Sequence, residues 1–191
     1  MGKDFQKKGK NVSLRDAHTS DCEVYMKWMS EGEWKDFDAP WEEFDNLSKQ
    51  KLRKRFEQLF LEEKVKPRKR AIITLPEDKP IGWVNRYHDD EHFSLFLIGI
   101  DICEDDHLDG GLGTESLQLW IDYLFENSDV HKVGLNTYSF NHRMNEVAKR
   151  LGFKKEGVDR EVIHWKGDWI DLIRYGILRQ EWNEMKSPCL R

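Results

Sequence analysis

The stretch Leu108-Asp109-Gly110-Gly111-Leu112-Gly113-Thr114-Glu115 constrains this chain more than any other. It follows a strongly apolar run, Phe93 to Ile102, and precedes Leu117, Trp120, Ile121, Leu124 and Phe125, which recur at helical spacing. Few chemistries need a glycine loop between a strand and a helix. Glycines let the backbone approach a bulky anion, and the first amides of the following helix point at it. The helix dipole adds roughly 0.3–1 kcal/mol for such an anion. The loop asks for a phosphorylated ligand, although short glycine-rich turns also serve as plain connections.

A chain of 191 residues has room for one domain with a proper core. The net charge of −5 argues against a dedicated nucleic-acid binder, which is usually strongly basic. No apolar run reaches the ~20 residues of a membrane helix. Met1 to Lys10 carries four lysines but no apolar segment after them, so it does not read as a secretory signal. Cys22, Cys103 and Cys189 are scattered, with no C-x-x-C pair, which fits a reducing compartment and a cytoplasmic protein.

Residues 1–10 read as a flexible basic tail and 184–191 as a C-terminal tail, leaving one domain over 11–183. Asn11 to Arg15 suits a short strand. Ser20-x-x-Glu23 predicts a capping box ahead of Cys22, Tyr25, Met26 and Met29 on one helical face. A second helix carries Leu52, Phe56, Leu59 and Phe60 inward and a basic outer face. Strands follow at Arg70–Leu75, Ile81–Tyr87 and Phe93–Ile102, then the loop and its helix, then a strand at Lys132–Thr137. A helix from Asn141 to Leu151 stops at Gly152. Strands around Phe153–Arg160 and Trp169–Ile177 close a mixed sheet.

This order, the loop, Asn141 leading to Leu151-Gly152-Phe153, and the closing Leu178-Arg-Gln-Glu-Trp182 together resemble the GNAT superfamily of acyl-CoA-dependent N-acetyltransferases. Gly-Leu-Gly-Thr-Glu is similar to the branch with ribosomal-protein N-terminal and spermidine acetyltransferases. The family's loop reads [R/Q]-x-x-G-x-[G/A]; here Leu108 stands where Arg or Gln is usual. The resemblance implies an α/β (α+β) fold, a mixed, mostly antiparallel sheet of about seven strands flanked by about four helices. It implies acetyl-CoA as cofactor, with the backbone of Asp109, Gly110, Gly111, Leu112, Gly113 and Thr114 on its pyrophosphate. It also implies main-chain pairing of Ile100, Asp101 and Ile102 with pantetheine, as a strand added to a sheet. Asn141 on the pantetheine arm or the sulfur end, Asn136 as a further cofactor residue, and Arg143 and Lys149 on the outer phosphates complete the implied cofactor set.

The implied reaction carries an acetyl group to a primary amine in a ternary complex. An amine with a pKa of about 10 arrives protonated, so a base must take its proton. Asp101 is the first candidate base and Glu104 the second. The family's usual acid is a Tyr where Ala148 stands, or a Ser where Met144 stands, leaving Tyr138 and Ser139 as the nearest substitutes. Trp34, Asp36, Asp38 and Trp41, with Glu42, Glu43 and Asp45, suit a cationic acceptor: a polyamine, an antibiotic amine or a peptide N-terminus. The plainer reading of that segment is a charged loop pinned by core aromatics.

Three rivals remain. His88-Asp-Asp-Glu-His92 matches an inverted zinc-protease motif but sits between strands rather than on a helix, and Cys103 with His107 adds only a ligand pair, so no metal is expected. Lys64, Lys66, Arg68, Lys69 and Arg70 offer a ribosome or RNA contact, or a solvated helix end. With both usual acids missing, a catalytically silent acyl-CoA-binding regulator also fits. A membrane partner is not expected, and a homodimer is left open.

Overall fold

The computed structural model describes residues 4–41, 47–61, 65–87 and 94–187. The expected order of elements is present, with one strand and one helix added. The strands are β1 (Gln6–Lys8), β2 (Ser13–Arg15), β3 (Arg70–Thr74), β4 (Pro80–Tyr87), β5 (Leu95–Ile102), β6 (Lys132–Tyr138), β7 (Lys154–Trp165) and β8 (Asp168–Leu178). The α-helices are α1 (Asp21–Ser30), α2 (Lys49–Phe56), α3 (Leu112–Glu126), α4 (His142–Arg150) and α5 (Arg179–Lys186). Among the described residues the hydrogen-bonded strand order is β1-β2-β3-β4-β5-β6-β8-β7. The β5/β6 pair is parallel, whereas β1/β2, β2/β3, β3/β4, β6/β8 and β7/β8 are antiparallel.

The chain forms two compact units, one from residues up to Asn85 with Ile100–Tyr123, the other from Arg86–Gly99 with Leu124 onward. The first is built around Trp83, whose ring meets Tyr25, Trp28 and Trp34 at centroid distances of 5.9, 5.7 and 5.4 Å. Aromatic pairs of this kind contribute about 0.5–1.5 kcal/mol each beyond their burial. Leu52 and Phe56 of α2 enter the same cluster, as their spacing predicts. The α2 helix ends early, and Glu57–Leu61 continue as a wider π turn.

The basic N-terminal tail is a correction. Gln6–Lys8 pair with β2, and Phe5 packs on Tyr123 at 4.3 Å while its amide donates to Asp16. One aromatic among lysines is too little signal for a strand, yet its ring contact with Tyr123 anchors the segment. The Ser20 capping box is not formed either. Glu23 instead pairs with Arg53 at 2.7 Å, and Asp21 accepts from the His18 amide and from buried Arg15. Nor is the basic run after α2 wholly solvated. Arg68 is buried, paired with Asp16 at 2.8 Å, and its amide donates to the Tyr123 hydroxyl.

In the second unit the parallel ladder joins Leu95–Leu97 to Lys132–Gly134, and β6 and β8 pair over their full common length. Gly152 takes φ +77° after α4, as the sequence predicts for the stop of that helix. Residues 184–186 are helical rather than tail, because α5 runs through Lys186 with Trp182 buried.

Candidate functional site

The glycine loop has the geometry an anion needs. Asp109 and Gly111 take positive φ, +60° and +78°, turning the backbone so that α3 begins at Leu112. The first helical bond runs from the Glu115 amide to the Gly111 carbonyl at 3.1 Å. The amides of Leu112, Gly113 and Thr114 therefore lie ahead of that bond, where a helix presents donors to an anion. A methyl on Gly113 would sit 3.8 Å from the side chains of both Ile100 and Ile102, so this turn packs over the end of β5.

Alternation along β5 sends Asp101 to the opposite face from Ile100 and Ile102. There the Trp83 indole donates to its carboxyl and Asp38 lies close enough to act on it. Burial pushes the Asp101 carboxyl well above the usual carboxylate range, and the charge of Asp38 adds to this against the Trp83 hydrogen bond. Gly82 makes this placement feasible. A Cβ there would lie 2.0 Å from the Asp101 carbonyl oxygen, so only glycine lets β4 pass so close. The neighbouring Cys103 amide donates to the Ile81 carbonyl at 2.8 Å.

Glu104 is differently occupied. Its carboxylate accepts from the Trp28 indole at 2.7 Å and pairs with Lys27 at 3.1 Å. Burial opposes ionisation, yet these partners together hold the group below its ordinary range. That makes Glu104 an anchor between β5 and α1 and a weak proton acceptor at neutral pH.

In the second unit, the Asn141 side chain caps α4 by accepting from the Met144 amide at 2.9 Å. Asn145, which sequence reasoning missed, is buried one turn on. It donates to the carbonyls of Tyr138 and Asn141 at 3.1 and 2.8 Å and accepts from the Tyr175 hydroxyl at 2.8 Å. Tyr138 stacks on Phe140, and Ser139 Oγ accepts from the Asp171 amide at 3.2 Å. Asn136 sits in β6 opposite Arg174. Lys149 pairs with Glu146 at 2.7 Å on the exposed face of α4, and Arg143 is half-buried on the same helix. Ala148 is fully buried and has no group that could donate a proton.

The acceptor candidates divide. Trp34 is buried against Trp83 and donates to the Trp28 carbonyl, so it supports the wall rather than lining a surface. Asp36 and Asp38 are exposed and Trp41 is half-buried. Glu42, Glu43, Asp45, Lys64 and His88–His92 lie outside the described residues. Among the described residues no group of three or more His, Cys, Asp or Glu could hold a metal ion, and no helix is long and apolar enough to cross a membrane.

Comparison with known proteins adds the family. Residues 11–154 match the model of the acetyltransferase (GNAT) domain. The N-acetyltransferase YnaD of Bacillus subtilis is 27% identical over 167 residues, 87% of this chain and 86% of that protein. The ribosomal protein uS5-alanine N-acetyltransferase of Escherichia coli is 29% identical over 72 residues, 38% of this chain and 37% of that one. Spermidine N-acetyltransferase from Vibrio cholerae, solved with CoA and spermine, superposes with a TM-score of 0.76 at 19% identity, covering 92% of this chain and 99% of that one. The chain belongs to the GNAT acetyltransferase family, whose acetyl donor is acetyl-CoA.

Proposed function

We propose that this protein transfers an acetyl group from acetyl-CoA to a cationic primary amine in a ternary complex, with Asp101 taking the amine's proton. The observation that carries this reading is the two-faced end of β5. Ile100 and Ile102 lie under the glycine-loop turn of α3, and Asp101 faces the Trp83 and Asp38 side. Donor and acceptor thus have opposite faces of one strand on which to meet. The ladder to β6 covers Leu95–Leu97, whereas β5 continues to Ile102, so the main chain at 100–102 is suited to pair with the pantetheine arm.

When bound, acetyl-CoA supplies a thioester carbonyl open to attack. The amides of residues 109–114 hold its pyrophosphate; Asn136, Asn141, Arg143 and Lys149 are candidates for the cofactor on the family resemblance alone. Asp38 and Asp36 attract the incoming ammonium. Asp101, whose proton affinity is raised above that of an ordinary aspartate, takes the amine's proton as the stronger base. Tyr138 is the candidate proton donor to the departing sulfur, whereas Ser139 is engaged with β8.

Amines of two classes fit, a polyamine-like small molecule and a peptide N-terminus; the spermidine and uS5-alanine relatives represent one each. A second reading, an acyl-CoA-binding protein without transfer, draws on Ala148 and Met144 at the usual acid positions. Thiol release from acetyl-CoA, followed with a polyamine, an aminoglycoside and an Ala-initiated peptide, tests both. The expected result is release that depends on a cationic amine. Tight acetyl-CoA binding with no release for any of the three favours the silent binder.

A further inference from the structure

The glutamate that ends the glycine motif has a task the acetyl-transfer reading does not use. Glu115 stands in the first turn of α3, its amide closing the helical bond to Gly111. Its carboxylate accepts from the Lys10 amide at 2.5 Å, the Asn11 amide at 2.9 Å and Asn11 Nδ2 at 2.8 Å. These are residues more than a hundred positions away, in the turn between β1 and β2. Gly9, in the same turn, is packed so closely that a Cβ would lie 2.4 Å from Glu115 Oε1 and 2.9 Å from Leu119 and from the Val12 carbonyl. The contact is therefore a fitted one on both sides. Burial opposes ionisation of Glu115, but the amides of Asn11, Lys10 and Val12 together hold it charged.

The helix dipole favours a carboxylate in the first turn, but beside a bound phosphate its charge is repulsive unless it is taken up elsewhere. Here backbone donors take it up, and in doing so they bring a cationic turn, with Lys8 and Lys10 exposed, to the same end of α3. Lysine carries a compact charge on a flexible stem, suited to a phosphate as a point charge. We infer that Glu115 is a positioning residue that fastens the Gly9–Asn11 turn to the phosphate loop, so that Lys10 serves as an added cation for the phosphates of the bound cofactor. This rests on the reading that the glycine loop holds acetyl-CoA.

Calorimetric titration of the full-length protein with acetyl-CoA and with 3′-dephospho-CoA tests it, using wild type, Lys10→Ala, Glu115→Gln and Glu115→Ala. The expected result is a Kd for acetyl-CoA raised about fivefold by Lys10→Ala and about tenfold by Glu115→Ala. The Lys10→Ala penalty should shrink as salt is raised from low ionic strength, which a purely structural role would not do. A penalty that disappears with dephospho-CoA assigns Lys10 to the 3′-phosphate, whereas one that persists assigns it to the pyrophosphate. Glu115→Gln keeps an acceptor for the amides and should fall between wild type and Glu115→Ala, which guards against a variant that simply fails to fold. Wild-type binding with all three variants unchanged overturns this inference alone. Absence of wild-type binding overturns the loop reading instead.

Discussion

The Tyr175 hydroxyl of β8 donates to Asn145 Oδ1 at 2.8 Å, and Asn145 passes the constraint to the turn ahead of α4 by donating to the Tyr138 and Asn141 carbonyls. Both side chains are buried, so each group left without its partner would cost about 1–3 kcal/mol. The network holds in register the turn that carries both Asn141 and Tyr138.

Replacing Asn145 by Leu keeps the branched shape and strips the turn of its ties. Thermal unfolding should report a loss of about 1–3 kcal/mol, and KM for acetyl-CoA should rise if Asn141 serves the cofactor. Tyr175→Phe should show a smaller effect in the same direction. An Asn145→Leu variant as stable as wild type would mean that water satisfies the turn equally well.

Gly111 takes φ +78° with nothing within 4 Å of a would-be Cβ, so a side chain there meets strain rather than collision. Gly111→Val should fold with about 1–2 kcal/mol less stability and lose acetyl-CoA binding by calorimetry. Binding at wild-type affinity would remove the loop from the site.

At Gly82 the opposite holds. A methyl would meet the Asp101 carbonyl oxygen at 2.0 Å, so Gly82→Ala must push β5 away from β4. The expected cost is about 1–3 kcal/mol in stability, with a fall in kcat that exceeds the change in acetyl-CoA affinity. Equal losses in both would point to general disruption.

Much of this fold is legible in the sequence because it rests on repeated local signals. Leu117, Trp120, Ile121, Leu124 and Phe125 are all buried along α3, and Gly152 ends α4 in the conformation only glycine takes readily. The missed features depend on partners distant in the chain. Strand β1 begins just after Phe5, whose ring packs against Trp120 and Tyr123. Ser20 and Glu23 have the capping pattern, but Arg53 takes the glutamate. Asn145 looks like one more polar helix residue until Tyr175 reaches it across thirty positions. Asp101 was legible as a carboxylate at the end of a strand, whereas the closeness of Asp38 and the need for glycine at position 82 were not.

Asp38 adds its charge to the burial that raises the proton affinity of Asp101. Asp38→Asn removes that charge, so Asp101 should release its proton more readily. The acid limb of the kcat/KM profile should move to lower pH, and raising salt on the wild type should move it the same way, since Asp38 is exposed. A limb that stays in place would separate Asp38 from the titrating group.

The pH dependence of kcat/KM for wild type and Asp101→Asn, with an amine that supports turnover, tests the central claim most directly. The wild type should show an acid limb above the ordinary aspartate range, because activity needs Asp101 ionised and its proton is held more tightly than usual. Asp101→Asn should lose that limb and about 10²–10⁴ in rate while binding acetyl-CoA as before. A variant that keeps the limb and falls less than about tenfold would contradict the assignment of Asp101 as the proton acceptor.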